Sequence, residues 1–524
     1  MNLGVKVGQK LMVGIRGSTL DKETIELLKE IQPGSIILFR RNITSAAQVK
    51  RLIAMLKELL PFPPLTAIDQ EGGLVARFTN DITVFPGNMA LGATGSVELA
   101  YQQGLITAGQ LKDIGIDINL APVIDVITTN HNPCITIRSF GDDPLKVSEF
   151  GAAYIQGIQM MKIAAVAKHF PGMGGAQIDA HLDLPVVKVS EHAFREIHWP
   201  PFRNAIENGV KGVMSTHIYC PSLDSKEKRP ATFSPEVVGN CLRNRHNFHG
   251  VIFSDDLEMG AIARYYSIED ACIKTVASGH DILLICSDYK KQRSAFYTLL
   301  HAYQNSLLSI KDLDASVKRI QSLKNFCRLE LDEKPSSISS REPQLTARQI
   351  ADDSITLIAD GGGLLPLKDD KGKRVVLIMP DLSTLDEVEE GYHPSEEHFF
   401  YKEFRNYFTG NLKIRFIPRD ICPRKVEELL REFLEQDTVI AFIYDAQAKE
   451  GQRLLLKKLQ KRWAGVIFVL VRNPFDVEFI SSKDTCLITY GYRREQFYAL
   501  LKVIFGKMEV KGNLPLKDRF KCSY

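Results

Sequence analysis

Residues 164–181 read Ala164-Ala165-Val166-Ala167-Lys168-His169-Phe170-Pro171-Gly172-Met173-Gly174-Gly175-Ala176-Gln177-Ile178-Asp179-Ala180-His181. An apolar run of strand length ends in a Lys-His pair. It then opens into a loop with three glycines and with an Asp and a His two residues apart. A strand covered on both faces is continuously apolar rather than alternating, as in parallel sheets flanked by helices. A polar strand end followed by a glycine-rich loop with an acid–base pair describes the rim of an active site.

The same layout recurs on either side of this stretch. Runs at 11–15, 35–39, 65–69, 116–122, 164–169, 212–217, 250–255 and 281–286 are all of strand length. Helical patterns at 21–31, 46–60, 144–161, 192–208 and 268–278 lie between them. Eight strand–helix units within residues 1–330 predict an α/β fold of the (β/α)8, TIM-barrel type, with an open doubly wound sheet as the competing arrangement. Six of the runs end in residues with chemistry: Asp69, Asp125 just past its strand, Lys168-His169, His217, Asp255 and the Cys286-Ser287-Asp288 turn. In a barrel these ends share the catalytic face.

Residues 331–345, LDEKPSSISSREPQL, are rich in Ser, Pro and charge and read as a linker. Further apolar runs at 355–359, 375–379, 414–418, 439–445, 466–471 and 487–490 predict a smaller α/β domain over 346–524, built on a parallel sheet.

Composition narrows the function classes. The chain has 524 residues, 44% of them apolar and 25% charged, with a formal charge of only +3. That balance gives no electrostatic case for nucleic acid or an anionic membrane as partner. The basic cluster Lys457, Lys458, Lys461 and Arg462 reads as a solvated helix face. Nine scattered cysteines without a CxxC pair point to reduced thiols and a cytoplasmic address. Residues 1–14 lack the apolar core of a signal peptide, and the longest strongly apolar run, 466–471, is too short to span a bilayer. No His/Cys/carboxylate set has metal-ligand spacing, so neither metal nor cofactor is expected. Oligomeric state leaves no trace in the sequence.

Side chains alternate along Val251-Ile252-Phe253-Ser254-Asp255, so Val251, Phe253 and Asp255 share one strand face. If that face is the barrel interior, Asp255 sits at its mouth. Asp256 reads as a cap or first-turn acid of the helix that follows. Asp69 precedes Gln70-Glu71-Gly72-Gly73, where two glycines let backbone approach a ligand closely. A carboxylate accepting from paired hydroxyls suits a sugar, and Arg77 and Arg138 are placed to donate to the same ring or to form structural ion pairs. Lys168 is a Schiff-base candidate by position, but with carboxylates nearby it reads better as a charged hydroxyl binder.

Together, DQEGG (69–73), RSFGDDP (138–144), KHFPG (168–172), DAH (179–181) and FSDDLEMGA (253–261) resemble glycoside hydrolase family 3. Within it the likeness is to the β-N-acetylglucosaminidases that remove terminal GlcNAc from peptidoglycan fragments. ADDSITLIADGGGLLPLK (351–368) and KGNLPL (511–516) resemble the C-terminal α/β sandwich of two-domain members, so the resemblance spans the chain. It implies Asp255 as nucleophile and His181 as acid/base, oriented by Asp179. It implies Asp69, Arg77, Arg138, Lys168 and His169 as ligands of the terminal sugar, with His217 lining the same pocket. The implied partner is a small carbohydrate, GlcNAc linked to anhydro-N-acetylmuramic acid with or without peptide.

Most retaining glycosidases use two carboxyl groups about 5 Å apart. An imidazole starts with a pKa near 6.5, so it need not be raised by burial to act at neutral pH. Asp179 would fix its tautomer and stabilise the imidazolium. Where the family commonly has His, this chain has Met173. A thioether cannot donate a hydrogen bond, so weaker polar anchoring of the loop is expected. Two other activities fit the same residues: a phosphorylase releasing GlcNAc 1-phosphate, since a histidine does not repel phosphate, and a β-glucosidase-type member. A sugar-binding protein without turnover is the alternative from another class.

Overall fold

The computed structural model describes residues 1–330, 342–382, 397–463 and 465–517. Eight parallel strands close into a barrel: β1 (Leu11–Gly14), β2 (Ser35–Leu38), β3 (Leu65–Ile68), β4 (Ile118–Asn119), β5 (Ala164–Phe170), β6 (Gly212–Ser215), β7 (Val251–Asp256) and β8 (Ile282–Ile285). Each pairs with the next in sequence, and β8 pairs with β1. All eight expected runs form strands of this barrel, so the open sheet is excluded. The interior is filled by Met12, Ile37, Leu65, Ala67, Ile118, Ala164, Val166, Val251, Phe253 and Leu284, all buried. It is therefore a packed core, leaving only the strand ends for a site.

The helices start where short polar side chains satisfy free backbone N–H groups. Asp21 accepts from Thr24 N at 2.7 Å and opens Lys22–Ile31. Asp143 accepts from Leu145 N at 3.0 Å and opens Pro144–Met160, with Pro144 in the first turn. Ser267 caps Ile268–Ser278 in the same way.

Two strands depart from regular pairing near the mouth. The register slips between Lys168 and Phe170 on β5, and between Phe253 and Asp256 on β7. Such bulges re-aim side chains at strand ends. Here they lie at the residues expected to do the chemistry.

A second, six-stranded sheet is ordered β9-β14-β13-β12-β10-β11. Its strands are β9 (Thr356–Asp360), β10 (Arg374–Asp381), β11 (Asn411–Pro418), β12 (Thr438–Ile443), β13 (Val466–Leu470) and β14 (Thr485–Ile488). The expectation of a parallel sheet holds for five strands and fails for β9, which runs antiparallel to β14 at the edge. Of the stretch read as a linker, residues 331–341 lie outside the described residues, and Glu342–Ser354 form a helix. That helix packs against Asn88–Thr94 and Val97–Ile114 on the barrel side and against Arg494–Ile504 beside the second sheet. The KGNLPL segment also ties the two parts together: Asn513 N donates to Ala93 O at 3.0 Å, and Asp142 N to Pro515 O at 3.2 Å.

Candidate active site

The C-terminal strand ends surround a cavity of about 140 Å³. Asp69, Arg77, Arg138, Lys168, His169, Asp179, His181 and Asp255 all line it, together with Glu71, Cys134, Met173 and Asp256. Eight of the nine expected site residues thus meet in one place. His217 does not reach the lining. It is fully buried, and its Nε2 donates to the Asp256 carbonyl at 2.9 Å, placing it behind the end of β7.

A buried ion network floors the cavity. Lys168 Nζ lies 2.7 Å from both Asp69 Oδ1 and Glu71 Oε1. Arg138 grips Glu71 with two parallel bonds, Nε to Oε2 at 3.0 Å and Nη2 to Oε1 at 2.8 Å. Arg77 approaches Asp69 at 3.7 Å. Burial disfavours the Glu71 carboxylate, but Arg138 and Lys168 outweigh it and hold its pKa far below the ordinary value. Burial likewise works against the Lys168 ammonium and is overcome by Asp69 and Glu71, so its pKa is raised. Glu71, in the DQEGG stretch, had no assigned role in the sequence; its partners lie 67 and 97 residues away.

Removing one member of such a network leaves the others charged and unpaired, at a cost of roughly 3–5 kcal/mol. Glu71→Ala is therefore expected to lose about that much in urea or thermal unfolding, and Glu71→Gln less. A loss near zero would show that the network contributes nothing to the fold.

Asp125 organises the next shell of the mouth. Its Oδ2 meets His169 Nδ1 at 2.8 Å, and its Oδ1 accepts from Met173 N at 2.8 Å. The first contact fixes the His169 ring. The second corrects the expectation for Met173. The loop is anchored through its backbone, with Met173 O accepting from Asn132 Nδ2 at 2.8 Å, while Met173 Sδ accepts from Thr216 Oγ1 at 3.6 Å. The thioether cannot donate, but the anchoring does not need it to.

The Asp179–His181 pair sits on the loop above. Asp179 Oδ1 contacts His181 Nδ1 at 2.8 Å and also accepts from His181 N at 2.8 Å. Partial burial lowers the His181 pKa, but the hydrogen bond and charge of Asp179, aided by Asp255, raise it above its ordinary value. Burial pushes the Asp179 carboxyl up, and His181 more than reverses this, bringing it to about 2.

The loop docks directly on the segment after β7. Gly260 N donates to His181 O at 3.2 Å, and Ala261 N to Ala180 O at 3.0 Å. A Cβ on Gly260 would stand 2.3 Å from His181 O, so only glycine permits this seat.

Asp255 is partly buried and faces the cavity. Burial alone would raise its pKa; His217, His169 and the Asp256 N–H, 2.9 Å from Oδ1, hold it below the ordinary range. It is thus poised as a carboxylate. Asp256 differs from expectation. It ends β7 instead of opening a helix, and the next helix, Gly260–Ala263, begins after Met259. Burial, then the charge of Glu258, push its carboxyl up to about 7.

Known proteins resemble the chain along its whole length. It is 27% identical to "Beta-hexosaminidase A" of Pseudoalteromonas piscicida, over 97% of this chain and 96% of that protein. It is 36% identical to "Beta-hexosaminidase" of Nitrosomonas eutropha, over 53% of this chain and 80% of that protein. The solved structure of a glycoside hydrolase family 3 beta-N-acetylglucosaminidase from Paenibacillus sp. str. FPU-7 superposes with a TM-score of 0.91, at 32% identity over 99% of both chains. Barrel, cavity and likenesses together define a glycoside hydrolase. The chain belongs to glycosyl hydrolase family 3, whose N-terminal domain matches residues 2–323.

Proposed function

We propose that the protein is a retaining exo-β-N-acetylglucosaminidase working by double displacement, with Asp255 as nucleophile and His181–Asp179 as acid/base. The observation that carries this reading is the meeting, in one cavity, of a strand-end carboxylate held ionised and an imidazole whose pKa is raised by its own carboxylate. Asp255 attacks the anomeric carbon while the His181 imidazolium protonates the departing oxygen, leaving a glycosyl ester on Asp255. Neutral His181 then takes a proton from water as the water attacks the same carbon. The C–O bond to Asp255 breaks, and the sugar leaves with its original anomeric configuration.

Asp69, Arg77, Arg138, Lys168 and His169 hold the hydroxyls of the terminal sugar, and His217 steadies the end of β7. The substrate class we propose is GlcNAc β-linked to an anhydromuramyl unit, in cytoplasmic recycling of cell-wall fragments. The beta-hexosaminidase relatives support the sugar, and the sequence features described above support the address. Among the described residues, no helix is long and apolar enough to cross a membrane. The test is product analysis on a GlcNAc–anhydromuramyl disaccharide, with and without phosphate. Free GlcNAc is expected in both. GlcNAc 1-phosphate would make the protein a phosphorylase, and turnover of aryl β-glucosides without β-GlcNAc activity would overturn the substrate.

A further inference from the structure

Two arginines of the second sheet reach the mouth of the barrel. β13 and β14 are parallel neighbours, so their C-terminal ends lie side by side. Arg472 follows the first and Arg493 the second. Arg472 is buried; its Nη1 pairs with Asp445 Oδ2 at 3.1 Å, and its Nη2 donates across to Pro133 O at 2.9 Å. Proline has no N–H, so this carbonyl is the one backbone polar group that Pro133 offers. Arg493 Nε donates to Gly73 O at 2.8 Å. Gly72 and Gly73 both lie at positive φ, 96° and 59°, a region that favours glycine. Such a pair is soft backbone, placed by what ties it: Gly73 N on Phe85 O at 2.7 Å, and Arg493 on Gly73 O.

The two tethered segments meet at Arg138. On one side Cys134, next in the chain after Pro133, accepts from Arg138 Nη1 through its carbonyl at 3.2 Å. On the other, Glu71 lies just before the glycine pair and accepts from Arg138 Nε at 3.0 Å and from Nη2 at 2.8 Å. A guanidinium carries five N–H groups in one rigid plane. These contacts fix that plane, and with it the direction of the remaining N–H groups, in a residue that lines the cavity.

We propose that Arg472 and Arg493 are positioning residues for sugar binding: through both, the second sheet holds the two backbone segments that orient Arg138. The inference rests on reading Arg138 as a ligand of the terminal sugar. Neither Arg472 nor Arg493 lines the cavity, and each acts on it through a main-chain carbonyl. A tilted guanidinium holds the sugar less well in the ground state and in the transition state alike, so KM rises while kcat changes little. A general loosening of the fold does the reverse. It lowers the amount of active protein, and so the apparent kcat, and leaves KM where it was.

The experiment measures kcat and KM for phenyl β-N-acetylglucosaminide and Ki for free GlcNAc, which reports the same sugar position without chemistry. It uses the full chain, as wild type, Arg472→Met, Arg493→Met, Arg138→Lys, and Arg138→Lys combined with each of the other two. Arg472→Met and Arg493→Met are each expected to raise KM and Ki together by roughly fivefold, with kcat within about twofold. Arg138→Lys should raise both by more, because an ammonium lacks the planar fork. In that background the other two substitutions should add little, since the group they orient is gone. If a Met variant does not fold, Lys at the same position, which keeps the charge but not the fork, carries the same expectation. KM and Ki unmoved in the Arg472 and Arg493 variants while Arg138→Lys raises them would overturn the proposal. So would an undiminished rise on top of Arg138→Lys. If Arg138→Lys itself leaves both constants unchanged, the reading of Arg138 as a sugar ligand fails, and the proposal with it.

Discussion

Asp255→Ala is expected to lower kcat/KM for an aryl β-N-acetylglucosaminide by on the order of 10⁵-fold, while the protein keeps its fold. The carboxylate is the only group at the end of β7 that the geometry turns into the cavity in ionised form. Its pKa is held down by His217, His169 and the Asp256 N–H against the opposing effect of burial. Asp256 is the poorer nucleophile, since its own carboxyl is pushed up to about 7 and loses its charge as the pH falls below neutral. Trapping with a 2-fluoro glycosyl fluoride followed by peptide mass analysis should place the adduct on Asp255. An adduct on Asp256, or an active Asp255→Ala protein, would remove Asp255 from the mechanism.

The second large effect concerns His181. His181→Ala should cost on the order of 10³-fold on substrates with poor leaving groups and far less on activated ones. The pH dependence carries a sign. Cleavage needs the imidazolium, and Asp179 raises the His181 pKa above 6.5, so the basic limb of kcat/KM should lie above that value. In Asp179→Asn the charge of Asp179 is gone while the lowering effect of burial and the raising charge of Asp255 remain, so the basic limb should move to lower pH. A basic limb unmoved by Asp179→Asn would mean that another group carries the proton.

Much of this was legible from residue order alone. Buried parallel strands announce themselves as apolar runs, and a chemical residue at the end of each run marks the catalytic face. Asp69, Lys168-His169 and Asp255 could therefore be placed before any coordinates. The direction of β9 could not. An edge strand such as Thr356–Asp360 has the same local composition whichever way it runs, and its pairing with β14 is set more than a hundred residues away. Glu71 was missed for a related reason. A glutamate next to two glycines reads as a loop charge, and only its long-range meeting with Arg138 and Lys168 makes it a buried anion. His217 was placed one layer too far forward, because a strand-end histidine can turn toward the pocket or tuck behind its neighbour, and the sequence does not distinguish the two. Asp256 was misread because capping and strand extension use the same residue type, and the bulge on β7 decides between them.

The network of Asp69, Glu71, Arg77, Arg138 and Lys168 has a consequence for how the protein meets dissolved salt. Its three cations and two anions pair with one another on the cavity floor, with Lys168 and Glu71 each only 3% exposed. The mobile ions of an electrolyte screen exposed charges over about 8–10 Å of water, yet they have less access to charges paired with one another on a largely buried floor. A neutral terminal sugar held as proposed would therefore meet donors and acceptors that salt is expected to disturb little. The affinity for a neutral sugar is therefore expected to change little between dilute buffer and concentrated salt, which a titration at the two ionic strengths would check.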